Sequence, residues 1–105
     1  MAVFGNYTAK DKFNSVGSLK LSEQTQNITI VGIEIEEKPD NDGVLRPSAT
    51  IKGEDGTLFG TVSEVVITQL EAIGQMFSEG EKSVTVKVNH RTSGQGRDYI
   101  ILEMQ

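Results

Sequence analysis

The chain has no cysteine and no tryptophan, and only one histidine and two prolines in 105 residues. Without cysteine there is no disulfide framework, thiolate nucleophile or cysteine-bound zinc, and a reducing compartment, the cytoplasm, is the expected location. No apolar run approaches the roughly 20 residues that span a bilayer. The opening Met-Ala-Val-Phe-Gly-Asn also lacks the charged and hydrophobic parts of a signal peptide. No membrane partner is therefore expected. His90 has no Asp or Cys set near it in a ligand or catalytic pattern, so neither a metal site nor acid–base chemistry is built on it.

Other signals of chemistry fail one at a time. Glu34 and Glu36 alternate with Ile33 and Ile35 as an exposed strand face does, and no partner motif turns them and Glu37 into a catalytic carboxylate pair. Asp40-Asn-Asp-Gly43 begins like a calcium loop, but the place of its bidentate glutamate is taken by Ile51. Ser93-Gly-Gln-Gly96 has neither the lysine nor the strand-to-helix setting of a phosphate loop. The sequence predicts no enzyme, no cofactor and no metal.

A chain of this length fits one domain, residues 1–105, with residues 1–16 read as an N-terminal arm because they show no clear period. Phe4, Tyr7 and Phe13 in that arm either dock on the body or belong to a binding surface. After it, Leu19 and Leu21 alternate briefly. From Asn27 to Glu37 the apolar phase slips: Ile28 and Ile30 point one way, Val31, Ile33 and Ile35 the other, with Gly32 between, the mark of a bulge or a bent strand. Lys38-Pro-Asp-Asn-Asp-Gly43 is a turn, Val44–Lys52 a second strand, Glu54-Asp-Gly-Thr57 a second turn, and Leu58, Gly60 and Val62 alternate in a short third strand.

Thr61-Val-Ser-Glu64 has the form of a capping box. Val62, Val65, Val66, Leu70, Ile73 and Phe77 follow at helical spacing as far as Gly80. Lys82–His90 then alternates cleanly, Arg91–Arg97 reads as a flexible loop, and Tyr99–Met104 as a last strand. The fold class is thus mainly β: an oligonucleotide-binding (OB) type five-stranded barrel with one helix between strands 3 and 4.

The net charge is −5, with ten basic against fifteen acidic residues, but its distribution is uneven. Residues 23–81 hold twelve acids against three bases, whereas residues 82–97 hold Lys82, Lys87, Arg91 and Arg97 and no acid. Barrels of this plan bind single strands across the second and third strands, using aromatic rings that stack on bases and cations that follow the phosphates. The expected nucleic-acid-binding residues are Arg46 and Lys52 on the second strand and Phe59 facing outward on the third. Lys87, Arg91, Arg97 and Tyr99 complete them around the last hairpin.

Several segments together resemble the single-stranded-DNA-binding protein of the protein-primed Bacillus phages. They are Gly17-Ser-Leu-Lys-Leu-Ser-Glu-Gln-Thr25, Gly53-Glu-Asp-Gly-Thr-Leu-Phe59 with the Val62-Ser-Glu-Val65 helix start, and Val84-Thr-Val-Lys-Val88 before the Thr92-Ser-Gly-Gln-Gly96 loop. The resemblance runs over most of residues 17–104. It implies cooperative, sequence-independent coating of single-stranded DNA during phage-type replication or recombination in the host cytoplasm. Replication proteins and further copies of the chain are the implied partners, and Phe59 and Lys87 the carried-over positions. The competing expectation is a phage-encoded inhibitor or nucleic-acid mimic that uses the acidic 23–81 segment to occupy a basic site and binds no DNA.

Overall fold

The computed structural model describes residues 2–105. Met1, the first residue of the expected arm, lies outside the described residues. The elements are β1 (Ala2–Gly5), α1 (Ala9–Asn14), β2 (Leu19–Lys20), β3 (Asn27–Pro39), β4 (Leu45–Gly53), β5 (Leu58–Thr61), α2 (Glu64–Ser78), β6 (Val84–Thr92) and β7 (Asp98–Met104). Single turns of 3-10 helix, Ser15–Gly17 and Leu21–Glu23, flank β2. Seven strands form one curled, open sheet, a half-barrel in the order β2-β5-β4-β3-β6-β7, with β1 added against β3.

The long strand β3 organises this sheet because it bends. Its register against β4 shifts between Ile30 and Gly32, where the apolar pattern slips. Before the bend, Asn27–Ile30 pair with β6; beyond it, Gly32–Ile35 pair with β1, so two neighbours share one edge of a single strand. Gly32 is required there: a Cβ would stand 2.4 Å from the carbonyl oxygen of Asn6 and 3.1 Å from the amide of Tyr7.

The hollow of the half-barrel is filled by α2. Ile30, Ile33, Ile51, Val86 and Val88 from the strands meet Val66, Leu70, Ile73 and Phe77 from the helix. The helix starts later than the Thr61 capping box suggests. Ser63 is the N-cap, its hydroxyl accepting from the amide of Val66, while Thr61 accepts from the amide of Ser63. The buried stripe accordingly shifts to include Ile67 and Gly74, and Val62 and Val65 are exposed. Gly74 admits the ring of Phe4, whose nearest atom is 2.6 Å from where a Cβ would be, so β1 is pinned to the helix as well as to the sheet.

The free edge of β7 is partly closed by a side chain. Gln69 of α2 donates its amide to the carbonyl of Leu102 and accepts from the Leu102 N–H, both at 2.8 Å. That reproduces the pair of hydrogen bonds a neighbouring strand would make.

The segment read as an arm is built into the body. Thr8 caps α1 with a capping box completed by Asp11, and the helix lies on the outer face of β3 and β4 through ion pairs. Lys12 reaches Glu34 at 2.9 Å and Glu36 at 2.5 Å, and Asp11 meets Lys52 at 3.0 Å. Tyr7 is buried beneath it. Burial, and then the Glu34 carboxylate, push its phenol above the usual tyrosine range against the pull of Thr50 and Ser15; among the described residues no hydrogen bond of normal geometry reaches the hydroxyl.

This clamp makes stability depend on pH. The Lys12 hydrogen bond holds the Glu36 carboxyl below its ordinary 4.5. At Asp11 burial opposes ionisation, but bonds from Thr8 and Lys52 outweigh it and hold the carboxyl below 3.8. Folded-state pKa values depressed in this way stabilise the fold above the unfolded values, and the contribution is lost as pH falls from about 4.5 downward. Denaturant midpoints at pH 7 and pH 3 should therefore differ. Lys12→Met should lower the midpoint at neutral pH, by about 1–2 kcal/mol because Lys12 is partly exposed while Glu34 is left buried. The same substitution should flatten the acid dependence.

Candidate nucleic-acid interface

Phe59 does not face outward. The Asp55-Gly56 turn sets β5 against β4 so that Phe59 lies directly opposite Ile51 and Leu58 opposite Lys52. Phe59 therefore shares the inward face of Ile51, is 6% exposed and belongs to the core. The alternation of Leu58, Gly60 and Val62 suggests the reverse phase, because Leu58 is also buried, but on the opposite face of the strand. A stacking role for Phe59 is ruled out by this register.

Arg46 and Lys52 are engaged within the chain. The Arg46 guanidinium pairs with Asp40 at 3.3 Å, and Lys52 is mostly buried against Asp11. The Asp40 carboxyl is held below its ordinary range, first by the backbone amide of Val44 and further by Arg46. These two cations stabilise the turn and the α1 clamp respectively; Lys52 is largely buried in its ion pair, whereas the Arg46 side chain stays 62% exposed.

The last hairpin brings its candidates together. In the β6–β7 register Arg91 faces Tyr99, Asn89 faces Ile101 and Lys87 faces Glu103. Because Val84, Val86 and Val88 point into the core, Lys87, Asn89 and Arg91 project on the outer face, and Tyr99 joins them there, 42% exposed. Arg91 belongs to β6, not to a loop. The hairpin closes through a tight turn, in which the Ser93 amide donates to the Arg97 carbonyl and the Gly96 amide to the Ser93 carbonyl, and which holds Arg97 beside the strand ends. Among the described residues Lys87, Arg91 and Arg97 make no ion pair, whereas Glu103 bonds the side chain of Asn89. His90 is exposed and its Nε2 lies 2.6 Å from the Gln24 carbonyl, a local tie of the hairpin to the segment before β3.

Tyr99 also lines a groove of about 650 Å³ that runs across β4 and β5. Thr50, Gly60 and Thr61 come to it from those strands, Lys20 from β2 and Lys38 from the end of β3, and Asp98 and Ile100 enter beside Tyr99. The groove lies where the sheet fails to close. β5 carries β2 on its outer edge, and no ladder joins β5 to β7 among the described residues. Gly60 lets Ser18 approach the strand closely, since a Cβ there would sit 3.0 Å from the Ser18 hydroxyl. Ser18, Ser22 and Ser48 add hydroxyls, and Asp98 is the one acid in the lining. Such a site offers hydroxyl donors and acceptors, two ammonium groups and one aromatic ring.

Comparison of the chain with protein-family models, with curated proteins and with solved structures gives no match.

Sequence reasoning missed the contribution of the N-terminal residues. Ser15, Ser18 and Lys20 line the groove because α1 is fixed on the outer face of the sheet. The signal was present, since Thr8-Ala-Lys-Asp11 has the Thr-x-x-acid spacing of a capping box and so marks a helix start within the supposed arm.

Proposed function

We propose that this protein binds single-stranded DNA without base specificity, in a phage-type replication or recombination setting, through the outer face of the β6–β7 hairpin and the groove beside it. The observation that carries the reading is the Arg91–Tyr99 cross-strand pair at the rim of a groove crossing β4 and β5. A ring of this kind stacks on a base, the neighbouring guanidinium and ammonium groups of Arg91, Arg97, Lys87 and Lys20 meet phosphates, and neither contact reads base identity. The long strands support an OB-type plan for the half-barrel. β3, β4 and β5 are consecutive antiparallel neighbours, α2 follows, and β6 returns to the first half of β3. In that plan the groove corresponds to the binding surface between the strand 1–2 and strand 4–5 hairpins.

Oligo-dT titration at low and moderate salt, followed by tyrosine emission, tests the reading. Saturable binding is expected, with log affinity falling linearly against log salt concentration. Tyr99→Ala and Arg91→Glu should each weaken it about tenfold, the scale of one lost stacking or phosphate contact. Absence of saturable binding at low salt overturns it.

A specific feature favours the acidic-module alternative. A second groove, about 450 Å³, is lined by Glu36, Glu37 and Glu71 around Ile35 and Pro47. Glu37 and Glu71 are exposed and make no ion pair among the described residues. On this reading a basic protein surface occupies that groove, DNA binding is absent, and charge reversal at Glu37 and Glu71 abolishes the partner contact.

A further inference from the structure

Phe13 is 82% exposed and Val16, three residues on, is 95% exposed, in a protein whose other phenylalanines, Phe4, Phe59 and Phe77, pack in or against the core. The helix that carries Phe13 is anchored by its opposite face. Asp11 and Lys12 turn down onto Lys52, Glu34 and Glu36, which leaves Lys10, Phe13 and Val16 as an outward row at i, i+3 and i+6. An exposed phenylalanine brings no folding benefit, because its ring stays in water.

Two further observations indicate what covers this row. The same short segment supplies Ser15, Ser18 and Lys20 to the groove, so the row is interleaved in sequence with groove-lining residues. The charges exposed along it have one sign: Lys10 and Lys20 make no ion pair among the described residues, and the only acid between them, Asp11, is buried against Lys52. In a chain of net charge −5 this is a local positive edge bearing a bare aromatic ring.

We infer that Phe13, with Lys10 and Lys20 on the same segment, is a base-stacking platform beside the groove, and that a strand lying in the groove is held by aromatic contacts from both Phe13 and Tyr99. The inference rests on the single-strand reading and adds a site to it. The apolar ring takes a base face, and the two lysines take the phosphates on either side of that nucleotide.

The chain has no tryptophan, so a Phe13→Trp variant carries a unique emission probe at the site. Titration with oligo-dT is expected to quench that emission, and Phe13→Ala is expected to weaken oligo-dT binding about tenfold, with circular dichroism and the thermal midpoint unchanged because the ring is exposed. Unchanged affinity in Phe13→Ala alongside loss in Tyr99→Ala overturns the platform and leaves the single-strand reading standing. No oligo-dT binding by the wild-type chain overturns both. A wild-type dimer that Phe13→Ala converts to monomer, with DNA affinity unaltered, assigns the row to a second copy of the chain and also overturns the inference.

Discussion

Phe59→Ala is expected to lower folding stability by about 3–5 kcal/mol, the usual range for truncating a buried aromatic ring. The side chain is 6% exposed, lies against Ile51 across the β4–β5 ladder and joins the cluster that α2 packs on. Small domains have roughly 5–15 kcal/mol in total, so the variant should stay folded at low temperature and unfold at a much reduced urea midpoint. The result separates two roles that the sequence alone confuses. A surface platform for bases would lose affinity and keep its midpoint; a core residue loses its midpoint and, in the fraction still folded, leaves the oligo-dT binding proposed for Arg91 and Tyr99 unchanged. A midpoint within about 0.5 kcal/mol of wild type, the usual effect of surface changes, would place the ring on the outside after all.

Gly32→Ala should cost about 3 kcal/mol, the upper end of what overpacking commonly costs. The added methyl would meet backbone atoms of Asn6 and Tyr7, which cannot rotate away as the end of a flexible side chain can. The relief available is for the chain around Gly5–Tyr7 to lift off β3, and Gly5 itself approaches Val31 too closely to yield toward the strand. Release of β1 would also free Phe4 from Gly74 and loosen the α1 clamp, whose following residues enter the groove. Hydrogen exchange is the discriminating measurement. Amides of β1 and α1 should lose protection before those of β3 and β4, and an unchanged exchange pattern would refute the close approach at Gly32.

Much of this architecture is legible in the residues, and the failures have physical causes. The bend in β3 can be read from the slip between Ile30 and Ile33 with glycine between, because a period of two cannot change phase without an extra residue. The alternation of Val84, Val86 and Val88 identifies β6, and the Asp55-Gly56 pair locates the turn before β5. What periodicity could not decide was which face of β5 looks inward. Both Leu58 and Phe59 are buried, on opposite faces, so a four-residue strand with apolar residues on both faces has no phase of its own. For Arg46 and Lys52 the missing information was long-range, since Lys52 meets a carboxylate 41 residues earlier in the chain. That the β6–β7 candidates share one face was legible because a hairpin's register is local, set by its own turn.

Gln69 gives the molecule's borders a lasting asymmetry. Its primary amide already saturates the Leu102 peptide groups, so any incoming β-ribbon must displace a tethered competitor that never diffuses away. Copies meeting at this border would then touch through side chains and remain discrete beads, without fusing into a continuous cross-molecular pleat.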